Sequence, residues 1–237
     1  MRLWDLSTSQ QVREDNTAQN LVTCISWIPG EKAVLQASED LSLRVWDARS
    51  LKVAQRLEGH VNIPMCCAVS ADGTQFLTCS NGFEGTGSEV RLWDRRAGKT
   101  LHVMEGHTQS VHSCLFIDAG AARRMSKMEE GACVKSKGVL ASCSADGTLR
   151  VWDTASGAEL QSVSPRDHGL GGAGEGTGEG GGAMLSMCEL RAGVSASGGT
   201  SYISTGSLAG QLFVWAYSHR LELAALELKT SAPKQAG

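Results

Sequence analysis

His107, Ser142 and Asp146 are the residue types of a general base, a nucleophile and the carboxylate that orients the base. Converging beside an oxyanion hole and an open cleft, they would perform acyl transfer. The same groups also suit a purely structural chain of hydrogen bonds, because an imidazole links a hydroxyl to a carboxylate. Ser142 and Asp146 both lie in "LASCSADGTLRVWD" (140–153), which reads as strand, tight Asp-Gly turn and strand. A catalytic serine of the hydrolase type needs a strand-to-helix elbow such as GxSxG, and this stretch has none. The spacing therefore favours a fastening over an active site.

The elements that would position these groups recur along the chain. Strand ends read "MRLWDL" (1–6), "LSLRVWDA" (41–48), "SEVRLWDR" (88–95), "TLRVWDTA" (148–155) and "GQLFVWAY" (210–217). Their tryptophans, Trp4, Trp46, Trp93, Trp152 and Trp215, are separated by 42, 47, 59 and 63 residues. The shortest intervals equal the length of a four-stranded unit, and the longer ones hold inserted loops. Gly59-His60 and Gly106-His107 precede two of the units. Between these marks lie short beta-favouring runs, "SVHSCLFI", "GVLASCS", "GTLRVWD" and "AELQSV" in one unit, with counterparts in the others. The last run, "RLELAALE", has helix-favouring residues, but its place in the repeat predicts a strand.

Composition narrows the classes. Hydrophobic residues make up 41% and charged residues 20% of 237, as in a globular chain able to bury a core. A formal charge of −3 gives no basic face for nucleic acid. No apolar run reaches 18 residues, so no membrane insertion is expected, and the first ten residues are not a signal peptide. Eight cysteines include no CxxC; most sit in apolar or small-residue runs, which predicts reduced thiols in a cytoplasmic setting. His112, His168 and His219 fall on separate elements with no metal-ligand spacing. No metal or cofactor is expected.

Taken together, the Gly-His pairs, the Trp-Asp ends and the period resemble the WD40 β-propeller family over essentially the whole chain. The resemblance implies an all-β propeller with four complete four-stranded blades, at about 20–58, 59–105, 106–165 and 183–228. A partial blade precedes them (1–19), within a propeller region of 1–228 and before a tail at 229–237. A chain starting inside a blade leaves apolar side faces uncovered. It is therefore read as the C-terminal part of a larger propeller of seven or more blades, the alternative being a closed five-blade ring.

In this family a tryptophan, a serine, a histidine and a carboxylate form one hydrogen-bonded chain per blade. The resemblance assigns these roles to Trp152, Ser142 (or Ser144), His107 and Asp146. Partial sets are His60 and Trp93 with Ser80 or Thr78, and Asp40 and Trp46 without the Gly-His pair. In the last blade Ala209 takes the aspartate position, and no network is expected to close there.

Insertions are where partners would bind, since the blades are scaffold. "SNGFEGTGSEV" (80–90) lengthens one hairpin and places Asn81, Phe83 and Glu84 where partners dock. The insertion at 118–138 mixes basic and acidic residues, and 167–183 is a glycine-rich flexible loop. The latter is superficially like a phosphate loop but lacks the Lys-Ser/Thr and its strand–helix setting. Asn20–Ile117, with "NLVTCISWIPGE" and the long "SNGFEGTG" hairpin, resembles the WD repeat-containing protein 31 branch. That branch implies a non-enzymatic scaffold binding other proteins through propeller faces and rim, in a multi-protein complex of ciliary or flagellar assembly or trafficking. The alternative is an adaptor or substrate receptor in an enzyme complex such as a ubiquitin ligase.

Overall fold

Most strand-forming runs are rich in β-branched, aromatic and small residues, and Asp-Gly, Ser-Gly and Asp-Ala are among the turns that separate them. The computed structural model describes residues 1–14, 21–82, 84, 86–117, 138–168, 182–190, 201–217 and 223–226. Eighteen strands account for nearly all regular structure there, the exception being a 3-10 turn at Pro165–His168.

Strands β1 (Arg2–Asp5) and β2 (Gln10–Glu14) form a two-stranded sheet. Four antiparallel sheets of four follow, each in sequence order. The first is β3 (Val22–Trp27), β4 (Ala33–Ser38), β5 (Leu43–Asp47) and β6 (Lys52–Leu57). The second is β7 (Pro64–Val69), β8 (Gln75–Ser80), β9 (Val90–Asp94) and β10 (Lys99–Met104). The third is β11 (Val111–Ile117), β12 (Val139–Ser144), β13 (Leu149–Asp153) and β14 (Glu159–Val163). The fourth is β15 (Met184–Leu190), β16 (Ser201–Ser207), β17 (Leu212–Tyr217) and β18 (Leu223–Leu226). The final run is thus a strand despite its helix-favouring residues, because pairing with β17 overrides local propensity.

Successive sheets pack face to face through their first two strands, β3 and β4 on β7, β7 and β8 on β11, and β11 and β12 on β15. The second strand is covered on both faces, so β4, β8 and β12 are buried almost without a break. One apolar cluster joins Leu35, Leu43 and Val45 of the first sheet to Cys67, Phe76 and Trp93 of the second. Leu77, Val90 and Leu92 meet Cys114, Leu140 and Trp152 in the next cluster. Ala141, Leu149 and Val151 meet Met184, Ile203 and Trp215 in the last. Burial of such side chains is worth about 1.5–3 kcal/mol each.

The aspartate of the Trp-Asp ends has its own work. Asp5, Asp47, Asp94 and Asp153 each accept backbone N–H groups from the turn between third and fourth strands, for example Arg49 N at 2.7 Å and Ala97 N at 2.7 Å. Between the first two sheets, Arg95 makes a bidentate ion pair with Glu31 (2.7 and 2.6 Å), and its carbonyl accepts from Gln55.

Phe83, almost all of the 118–138 insertion, most of the 167–183 glycine-rich stretch, His219 and the 229–237 tail lie outside the described residues.

Candidate functional site

β12, β13, the turn between them and the loop ahead of β11 bring Ser142, Trp152, Asp146 and His107 into one hydrogen-bonded chain. The Trp152 indole N–H donates to Ser142 Oγ at 2.8 Å. Ser142 Oγ lies 2.8 Å from His107 Nε2, and His107 Nδ1 lies 3.0 Å from Asp146 Oδ2. The indole only donates and the carboxylate only accepts, so one assignment satisfies every link. Ser142 donates to Nε2, and the Nδ1–H donates to Asp146.

Asp146 is held further by the backbone N–H groups of Thr108 (3.0 Å) and Thr148 (2.9 Å) and by the Thr148 hydroxyl (2.6 Å). Burial pushes its carboxyl up. The His107 hydrogen bond, with the Thr148 and Thr108 donors, outweighs burial and holds it well below the ordinary carboxylate range.

Ser142 has no exposed surface, His107 has 3% and Trp152 has 2%. A substrate cannot reach the serine oxygen without opening the blade. Ser144, the other candidate, is engaged at the turn end of the same strand: its hydroxyl donates to the Gln109 carbonyl at 2.9 Å and accepts from Asp146 N.

The second blade makes two of the links. Trp93 donates to Thr78 Oγ1 at 2.8 Å, and His60 Nε2 lies 2.7 Å from that same oxygen. Thr78 rather than Ser80 fills the position; Ser80 instead donates to the Gly87 carbonyl at 2.6 Å. The chain stops at His60 Nδ1, which is buried without a hydrogen-bond partner. Glu89 approaches it only to 3.9 Å, because Arg91 holds that carboxylate at 2.8 and 3.0 Å.

His60 is therefore kept neutral: burial, then the Arg91 charge, push it down to about 3 from 6.5. Its folded pKa lies below its unfolded one, so this stabilisation is full above pH 6.5 and drains as pH falls toward 3. Unfolding free energy should fall by about 1 kcal/mol per pH unit through that window. Burial also lowers His112, which will leave part of the slope in place. Denaturant titrations of His60→Gln at stepped pH should show a flatter dependence than the parent; an unchanged slope contradicts the assignment.

The first blade solves the same problem differently. Trp46 donates to Gln36 Oε1, and Asp40 pairs with Arg44 and Ser42. Burial raises the Asp40 carboxyl, while Arg44 and Ser42 bring it down to about 2. In the last blade the first link does form, Trp215 donating to Thr205 Oγ1 at 3.0 Å, although Ala209 ends it there. Gln36 and Thr205 were missed in the sequence. Each lies ten residues before its tryptophan, as Ser142 does, and that spacing was the available signal.

The 80–90 hairpin is anchored at its root. Asn81 N donates to the Ile63 carbonyl, Ser110 Oγ to the Gly82 carbonyl at 2.9 Å, and Asn62 to the Thr86 carbonyl at 3.3 Å. Asn81 is half-buried at this root, its Oδ1 buried without a hydrogen-bond partner, rather than presented outward. Glu84 and Thr86 are exposed, and Glu84 holds a left-handed φ of 51°.

Among the described residues, no group of three or more His, Cys, Asp or Glu side chains is placed to hold a metal, and no helix is long and apolar enough to cross a membrane. The seven described cysteines are free thiols.

Four-stranded blades packed face to face, fastened from tryptophan to second strand, define a β-propeller repeat protein. Residues 9–47, 51–94 and 98–153 match the WD40 family model, described as WD domain, G-beta repeat, and this chain belongs to that family. WD40 repeats typically build non-enzymatic protein–protein interaction scaffolds. The crystal structure of the computationally designed Ika8 protein is similar over 91% of this chain, with a TM-score of 0.60 at 17% identity. The match covers 52% of that protein, so the chain spans about half its length and shares its fold.

Proposed function

We propose that the scaffold docks its partners through the anchored 80–90 hairpin and the propeller faces, and that it serves ciliary or flagellar assembly or trafficking from the cytoplasm or the ciliary base. The buried His107–Ser142–Asp146–Trp152 chain is its fastening, with no catalytic part. The observation that carries the docking role is the hairpin itself: its root is tied to Ile63 and Ser110, in the loops ahead of the first strands of its own blade and of the next, yet exposed Glu84 holds a conformation that costs a non-glycine residue about 1 kcal/mol. The ciliary setting rests on the resemblance of Asn20–Ile117 to the WD repeat-containing protein 31 branch.

Proximity labelling in ciliated cells tests both parts. Labelled proteins should be enriched in those of the ciliary base, and Glu84→Arg should reduce that enrichment severalfold without lowering the melting temperature. A labelling pattern indifferent to Glu84, or one that is uniformly cytoplasmic, contradicts the proposal.

A further inference from the structure

Thiols crowd the seam between the second and third blades. Cys66 of β7, Cys79 of β8 and Cys114 of β11 join the apolar cluster there, with described blades on both sides. Cys66 Sγ lies 3.7 Å from the Cys114 carbonyl across the seam. Cys79 has no exposed surface and Cys114 has 3%, whereas Cys66 is only partly covered. An oxidant arriving from solvent therefore meets Cys66 first.

Cys66 and Cys79 stand directly opposite each other in the β7–β8 register, just beyond a bulge. The same place in the other blades holds Cys24 with Ala37, Ser113 with Cys143, and Ser186 with Gly206. Among the described residues, the second blade alone carries sulfur on both strands. Packing does not require it, since alanine or glycine fills the second-strand position in the first and last blades.

Directly opposed residues of an antiparallel pair have Cα atoms about 4.5–5.5 Å apart and side chains on one face. A disulfide spans about 4.4–6.8 Å between Cα atoms, so β7 and β8 can be bridged without moving either strand. Cys24 and Cys114 belong to neighbouring blades. Facing sheets lie about 10 Å apart, and a bridge between them would have to draw the blades together.

The chemistry of the thiols agrees. Contacts with Cys114, then Cys24, lower the Cys66 thiol from its ordinary value and outweigh Cys79 and burial, which raise it. Burial, then Cys66 and Cys79, push Cys114 well up and keep it a thiol. A redox-sensing cysteine combines thiolate character, access and a neighbouring thiol that resolves its oxidised form. Cys66 has all three.

We propose that Cys66 and Cys79 form a peroxide-sensitive dithiol that closes to a disulfide within the second blade. Hydrogen peroxide is the oxidant. The Cys66 thiolate attacks one peroxide oxygen, the O–O bond breaks, and the departing hydroxide takes up the proton the thiol released. Cys66 sulfenic acid and one water result. Cys79 sulfur then attacks Cys66 sulfur, the S–O bond breaks, and the Cys79 proton leaves with the hydroxyl as a second water. The two thiols lose two electrons, and the peroxide gains them. The bridge removes the Cys66 S–H donor from the Cys114 carbonyl. It also ties down the strand whose next residue, Ser80, holds the 80–90 hairpin through the Gly87 carbonyl.

The test treats the reduced full chain with excess hydrogen peroxide, removes the peroxide and blocks free thiols with N-ethylmaleimide in denaturant. Cleavage at Asp72 as well as at lysine and arginine separates Cys66 from Cys79. Mass spectrometry should find 57–71 joined to 72–91, with fragment ions placing the link on Cys66 rather than Cys67, and reductant should part the two. Cys66→Ser and Cys79→Ser should each remove the linked pair. Cys67→Ser, on the face toward the first blade, should leave its yield within about twofold of the parent. The map of the parent chain needs no variant and decides the matter if one fails to fold. Recovery of Cys66 and Cys79 as separate blocked thiols, a link from Cys66 to Cys114 or Cys24 instead, or sulfinic acid at Cys66 without a bridge overturns the proposal.

Discussion

Leu149→Ala lowers the unfolding free energy by about 2–5 kcal/mol, whereas Leu212→Ala, at the same position of the next blade, costs less than about 1 kcal/mol. The two leucines open their third strands and pair with Cys143 and Gly206 respectively. Leu149 is fully buried between blades, in a cluster with Val151, Met184, Ile203 and Trp215. Leu43 and Val90, its counterparts in the first two blades, are equally buried. Leu212 has no following blade among the described residues and is 62% exposed. Truncating it removes little that was taken out of water, while truncating Leu149 leaves a cavity that packed neighbours close only in part. Urea unfolding of the two variants reads the contrast directly. Equal losses would mean that blade-to-blade packing does not carry the stability.

Ser142→Ala removes one oxygen with two partners. It strands the Trp152 indole N–H and His107 Nε2 in a site with almost no water access. Each buried unsatisfied group costs about 1–3 kcal/mol, so a loss of several kcal/mol is expected. Asp146→Ala takes the carboxylate from the Thr108 and Thr148 donors and from His107 Nδ1, leaving the latter only Thr148 Oγ1 at 3.2 Å, and should also destabilise the fold. The Asp146 part is also pH-dependent. Its folded pKa is depressed, so its stabilisation is complete above the ordinary carboxylate value of about 4 and is lost as pH falls below it. Asp146→Ala should therefore remove a component of the acid sensitivity that Ser142→Ala retains.

The parts of the fold that were legible in the sequence are those with period and punctuation. Trp-Asp ends and Asp-Gly turns recur at fixed places, and each is backed by a local cause: the aspartate collects turn N–H groups, and the tryptophan reaches one strand back. The fastening residues of the third blade were legible because all four types are present at once. The choice between Ser142 and Ser144 was not, since residues two apart share a face of the strand, and only position along it decides: Ser142 stands opposite Arg150, within reach of Trp152, while Ser144 sits at the turn.

Gln36 was hidden by chemistry rather than by position: a longer side chain replaces a hydroxyl and reaches the indole from the same strand site. Glu89 was hidden by competition. It sits near enough to His60 to complete a network, but Arg91 on the neighbouring residue of the same face claims both of its oxygens.

The central claim is that His107, Ser142, Asp146 and Trp152 act as one structural fastening. A double-mutant cycle on Ser142→Ala and Asp146→Ala, followed by denaturant unfolding at neutral pH, tests it most directly. If the groups share one buried network, each single variant is destabilised and the double variant loses less than the sum, with a coupling of about 0.5–3 kcal/mol. Single variants as stable as the parent, or losses that simply add, would contradict the fastening and return the serine, histidine and aspartate to the question of catalysis.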